Sequence, residues 1–140
     1  MKRALAAIFV VLMTSHAYAC ERAGELLTKL RSGSFSTYVQ GDATVRELGP
    51  LTRAHDSVCV YGLTLVMPDQ HGATRLLVTN SAGVLRATYL LTLADFIGLK
   101  GTTVLVRNAR GQTEAIELGD GELPAKVFFD GELSDLFLPN

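Results

Sequence analysis

The chain has 140 residues, with 13 basic and 14 acidic side chains, a net charge of -1 and a hydrophobic share of 48%. That length supports one domain and excludes a multidomain machine. The balanced charge gives no electrostatic case for nucleic-acid binding, and the apolar share excludes a disordered chain.

The first nineteen residues read as a secretory signal. Lys2 and Arg3 open the chain, Ala4 to Met13 is an unbroken apolar run, and Ala17-Tyr18-Ala19 supplies small residues at the outer positions of a cleavage site. The run is too short to span a bilayer, which needs ~20 apolar residues. The expectation is therefore a signal peptide over 1–19, removed on export, and a single domain over 20–140, periplasmic or secreted, with no transmembrane span. Cleavage after Ala19 makes Cys20 the first mature residue, so a lipoprotein anchored through Cys20 is the alternative. Ala17 and Tyr18 depart from the lipoprotein pattern, which has Leu and then a small residue at those positions.

Ala23, Leu26, Leu27 and Leu30 recur at the spacing of an amphipathic helix, Ser32-Gly33 stops it, and Cys20 falls on the same stripe. Phe35 to Val39 and Ala43 to Leu48 are β-prone, the second broken by Gly49-Pro50. Val58 to Met67 is the strongest strand. Its residues Cys59, Tyr61, Leu63, Leu65 and Met67 share an apolar face by period two. Both thiols therefore point inward. In an oxidising compartment this predicts a Cys20–Cys59 disulfide.

Arg75 to Thr79 and Val84 to Leu91 flank Asn80-Ser81-Ala82-Gly83 and read as a hairpin. Pairing Thr79 with Val84 puts Leu76, Val78, Leu85, Ala87, Tyr89 and Leu91 on a core face, and Arg75, Leu77, Arg86 and Thr88 on a half-wet one. Thr92-Leu93-Ala94-Asp95 has the form of a capping box and predicts a short helix ending at Lys100-Gly101. A second hairpin turns at Asn108-Ala109-Arg110-Gly111, Ala125 to Phe129 is a last strand, and the apolar tail Leu133 to Leu138 is expected to dock on the domain. Asp120-Gly121-Glu122-Leu123 and Asp130-Gly131-Glu132-Leu133 read as two similar turns. The fold expected is mainly β: a small antiparallel β-sandwich or barrel of about six to eight strands, with an N-terminal helix and one short connecting helix.

Candidate chemistry is sparse. His55-Asp56-Ser57 holds the letters of a hydrolase triad, but adjacent residues cannot converge as nucleophile, base and orienter. Asp69-Gln70-His71 adds a second imidazole without metal-ligand spacing. The sequence has no C-x-x-C, H-E-x-x-H, G-x-S-x-G or phosphate loop, and no Trp to stack sugars. No catalytic residue, metal site or cofactor is predicted.

Charge is the better lead. Residues 111–140 carry seven acidic side chains against Lys126 alone, while residues 20–110 carry ten basic and seven acidic. An acidic rim of Asp120, Glu122, Asp130 and Glu132, with Phe129 as hydrophobic anchor, is the expected binding surface for another envelope or secreted protein with a basic face. The expected function is a non-catalytic protein-binding module, such as a periplasmic inhibitor, immunity protein or envelope assembly factor. The alternatives are a periplasmic hydrolase using His55 and a β-barrel carrier of a small apolar ligand.

Two stretches, Leu91-Thr92-Leu93-Ala94-Asp95 and Phe129 to Leu136, resemble motifs of small periplasmic domains related to the molybdopterin-binding fold of sulfite oxidases. Neither cysteine sits where that fold ligates molybdenum, so the resemblance implies no activity here.

Overall fold

A computed structural model describes residues 20–52, 57–66 and 72–138. The predicted signal sequence and the segments holding His55, Asp56, Asp69, Gln70 and His71 lie outside the described residues.

Helix α1 (Ala23–Ser32) forms where the leucine spacing predicts it, burying Leu26 and Leu30 one turn apart. It is tied down at its start. Cys20 is disulfide-bonded to Cys59 with Cα atoms 5.8 Å apart, the Tyr61 hydroxyl donates to the Glu21 carbonyl (2.6 Å), and Lys29 pairs with Glu21 (2.7 Å). Residues 35–39 are not a strand but a turn containing a single 3-10 segment (Ser36–Tyr38). Phe35 and Val39 are both buried in the cluster under α1. An extended chain would hold them about 13 Å apart; coiling brings both beneath the helix.

Strands β1 (Asp42–Thr52), β2 (Ser57–Val66), β3 (Gly72–Asn80) and β4 (Leu85–Leu91) run as an antiparallel meander. A separate three-stranded sheet follows, β5 (Asp95–Lys100), β6 (Thr103–Arg107) and β7 (Thr113–Glu117). The chain then returns through β8 (Lys126–Phe129) and β9 (Glu132–Phe137) to give a six-stranded sheet of order β1-β2-β3-β4-β9-β8. The fold is thus the expected mainly-β sandwich, one sheet of six strands on another of three, with the N-terminal helix outside.

Two local expectations are overturned. Gly49-Pro50 does not end β1, which continues to Thr52 through a bulge between Glu47 and Gly49. Because β1 is an edge strand, proline's missing N–H costs no ladder bond. The predicted connecting helix after Thr92 is instead strand β5. It pairs with β6 and buries Phe96, while the Arg46 guanidinium donates to the carbonyls of Phe96 and Ile97. Pairing and burial outweigh a local capping signal worth ~1 kcal/mol.

One core lies between the sheets, built from Leu51, Val60, Leu76, Val78 and Tyr89 against Val104, Val106 and Ile116. A second lies under α1, where Leu26 and Leu30 meet Tyr61, Leu63, Leu65 and Leu77. Strand β2 is consequently buried on both faces, and Gly62 is required there: a Cβ would overlap the Phe96 ring. The supposedly half-wet face of β3 and β4 is also dry at Leu77 and Thr88. A bulge pairs Thr79 with Leu85 rather than Val84, which turns Leu85 toward the helix-side cluster.

The two N-x-x-G hairpin turns are built alike. Asn80 Oδ1 accepts the N–H groups of Ala82 and Val84, Asn108 Oδ1 those of Arg110 and Gln112, and Gly83 and Gly111 both have φ +81°.

Candidate functional site

The six-stranded sheet has more surface than the helix can cover. On its outer face α1 lies over β1 to β3, through Ala43, Val45, Tyr61, Leu63 and Leu77. Beyond β3 the same face continues across β4, β9 and β8. Their inward residues, Ala87, Tyr89, Leu91, Leu136, Val127 and Phe129, join the sandwich core. By alternation Leu90, Phe137, Asp135, Leu133, Phe128 and Lys126 point outward. Register aligns them: Thr88 with Phe137, Leu133 with Phe128, and Asp135 with Lys126.

Among the described residues nothing covers this outer face, whose apolar side chains flank the Asp135–Lys126 pair. Phe128 is 59% exposed, Leu133 65%, Leu90 49% and Phe137 40%. Monomeric proteins seldom leave adjacent large apolar side chains in water, and a contiguous apolar patch marks a binding site. An aromatic border separates it from the helix. The Tyr38 ring stacks on Phe35 (4.9 Å between centroids) and meets Phe137 edge-on (5.6 Å). The Arg75 guanidinium lies 5.0 Å from the Tyr38 centroid and 5.8 Å from that of Phe35. Between this border and β9 runs an open groove of about 540 Å³, walled by Tyr38, Arg75, Leu90, Leu133 and Phe137.

The acidic residues divide by role. Asp120, Glu122 and Glu132 are exposed, and among the described residues none of them has an ion-pair partner. Glu132 and Asp135 line the groove, and Asp135 pairs with Lys126 (3.5 Å). Asp130 is not available as a rim charge. Its carboxylate pairs with Arg110 (3.2 Å) and accepts from the Thr92 hydroxyl (3.4 Å), and its N–H donates to Glu114 (3.1 Å). That turn, Asp130-Gly131, holds both residues at positive φ and closes the β8–β9 hairpin. Glu117 also serves the fold: bonds from the Thr102 and Thr103 hydroxyls and the Gly119 N–H hold its carboxyl below its ordinary range.

The anchor assignment is corrected. Phe129 is 1% exposed and packs in the sandwich core, so it cannot meet a partner; its neighbour Phe128 is the exposed ring. Alternation puts the two on opposite faces, but only the pairing of β8 with β9, and of β9 with β4, decides which face is inside. Sequence reasoning also missed Leu90, Leu133 and Phe137 as surface residues and Arg75 as their neighbour. The available signal was the tail's run of apolar residues of both parities, too many for one buried face.

Two titrating groups mark the helix side. Burial, with Glu47 and Glu21 nearby, pushes the Tyr61 hydroxyl up to about 12. Burial also lowers the Arg75 guanidinium from its ordinary value. Among the described residues no group of three or more His, Cys, Asp or Glu side chains could hold a metal ion, and no helix is long and apolar enough to cross a membrane.

No family model, curated protein or solved structure matches the chain. The resemblance to the molybdopterin-binding fold therefore stands on its two short stretches alone, and the first of these leads into a strand, not a helix.

Proposed function

We propose that this is an exported, non-catalytic protein-binding module, periplasmic or secreted, and that the uncovered outer face of β4, β9 and β8 is the surface it binds with. The observation that carries the reading is the set of exposed apolar side chains, Leu90, Phe128, Leu133 and Phe137, on one continuous sheet face. The compartment is supported by the Cys20–Cys59 disulfide, a bond that persists where thiols are not kept reduced, and by the signal-like first nineteen residues.

The chemistry of the surface suggests its partner. Phe128 is the aromatic anchor that desolvates on binding, in the manner of interface hot spots. Glu132 beside the groove, with Asp120 and Glu122 in the loop before β8, favours a partner whose contact surface is apolar at its centre and basic at its rim. Another envelope or secreted protein of that character fits, including an enzyme that the module inhibits.

Affinity capture from the envelope of the native host tests this. Wild type, a Phe128→Ser/Leu133→Ser variant, an Asp120→Asn/Glu122→Gln/Glu132→Gln variant and a Val84→Ser control are compared. Val84 is exposed and apolar but lies at the other end of β4, beside Lys29 and Leu30 of α1. A partner held by wild type and the Val84 control, lost from the face variant and held more weakly by the charge variant at low salt, is the expected result. Identical capture by all four overturns the reading.

A further inference from the structure

The partner chemistry above leaves one charge on the face unanswered. Arg75 is half-buried at the floor of the groove, between the aromatic border and Leu90, its cross-strand neighbour. Among the described residues it makes no ion pair and no hydrogen bond to a carboxylate, whereas Lys126 holds Asp135 and Arg110 holds Asp130; Arg86, also unpaired and on the outward side of β4, is exposed rather than half-buried. Buried charge is ordinarily paired, because losing hydration without a counter-ion is costly. The rings of Tyr38 and Phe35 offset part of that cost. They lie beside the guanidinium without taking up its N–H donors, which remain for a planar, bidentate acceptor. A carboxylate has that shape. The acidic residues of the groove do not fill the place: Asp135 is engaged by Lys126, and Glu132 lies roughly 10 Å further along β9.

We propose that Arg75 receives an aspartate or glutamate side chain of the partner, flanked by apolar residues that seat in the groove against Leu90, Leu133 and Phe137. This deepens the proposed function and rests on it: the docked segment is apolar, carries a carboxylate over Arg75, and presents its basic residues toward Glu132 at the other end. The groove is open along its length, so a chain can pass through it, and the partner's carboxylate is a side chain rather than a chain terminus.

The test uses three peptides on the oxidised protein: acetyl-Leu-Glu-Leu-amide, its isosteric Gln counterpart, and acetyl-Leu-Gln-Leu with a free terminal carboxylate. Binding is read from the backbone amide resonances of Leu90 and Phe137, which line the groove and remain in every Arg75 variant, in proton–nitrogen spectra. The Glu peptide is expected to bind about tenfold or more tightly than the Gln peptide, the effect of a charge-assisted bidentate bond. That preference should vanish in Arg75→Gln and survive in reduced form in Arg75→Lys. Equal binding of the Glu and Gln peptides to wild type overturns the proposal without recourse to any variant. So does a preference that persists in Arg75→Gln, or the absence of any shift at millimolar peptide. Binding by the free-acid peptide alone overturns the side-chain assignment. Capture that ignores the face substitutions sinks the docking reading itself; capture that respects them, with no Glu preference here, sinks only the role given to Arg75.

Discussion

Removing the Cys20–Cys59 bridge should cost about 4 kcal/mol, because the two residues lie 39 apart in sequence and the cross-link denies that loop its freedom in the unfolded chain. The perturbation is reduction of the wild type, checked against Cys20→Ala/Cys59→Ala. The native side loses less than the unfolded side gains: Leu26 and Leu30 stay buried, and the Tyr61–Glu21 hydrogen bond survives. The helix should therefore remain docked. With an urea slope of ~1.5 kcal/mol/M, a loss of that size lowers the midpoint by ~2.5 M while the folded-state circular dichroism is unchanged. Equilibrium urea unfolding followed by circular dichroism, with and without reductant, measures it. A midpoint shift below ~0.5 M would show that the bridge constrains little. Loss of helical signal before the main transition would show instead that α1 depends on it locally.

Phe129→Ala should cost ~3–5 kcal/mol by opening a cavity between the sheets, whereas Phe128→Ala should change stability by no more than ~0.5 kcal/mol; thermal unfolding of the two variants checks which ring is inside. Gly62→Ala should destabilise by ~1–3 kcal/mol, because its Cβ meets the Phe96 ring, and adding Phe96→Leu should recover part of the loss. One tyrosine should titrate near 12 by ultraviolet absorbance, and the signal should be missing in Tyr61→Phe. Because the folded-state value is raised above the ordinary 10, Tyr61 contributes stability that is intact below pH 10 and lost as pH rises from 10 toward 12. Tyr61→Phe should also lose ~1–2 kcal/mol at neutral pH by leaving the Glu21 carbonyl without its donor.

Much of the fold could be read from residue order where a single local period governs. The helix spacing of Leu26 and Leu30, and the alternation of Cys59, Tyr61, Leu63 and Leu65, put both thiols inside and so led to the bridge. Asn80 and Asn108, each three residues before a glycine, marked both hairpins because an Asx side chain and a left-handed glycine are what such turns need. Reading failed where a distant segment decides the outcome. Thr92 to Asp95 carries a helix-start signal, but β6 and Arg46 claim the chain that follows. Pro50 looks like a breaker until β1 is seen to be an edge strand. The surface was the least legible part. Phe128 and Phe129 are equivalent to any periodicity argument, and only the insertion of β9 between β4 and β8 turns one of them outward. Nothing in the sequence around Arg75 reveals that its neighbours in space are Tyr38, Leu90 and Phe137.

The claim on which the account turns is that the outer face of β4, β9 and β8 is where this protein meets its partner. Site-specific photocrosslinking tests it most directly, with a benzophenone amino acid placed singly at positions 90, 128, 133 and 137 on the face and at 66 and 84 elsewhere, in the native host. One discrete protein adduct is expected, shared by the four face positions and missing from the two exposed apolar positions away from it. No adduct from the face, or the same adduct from all six positions, would contradict the claim.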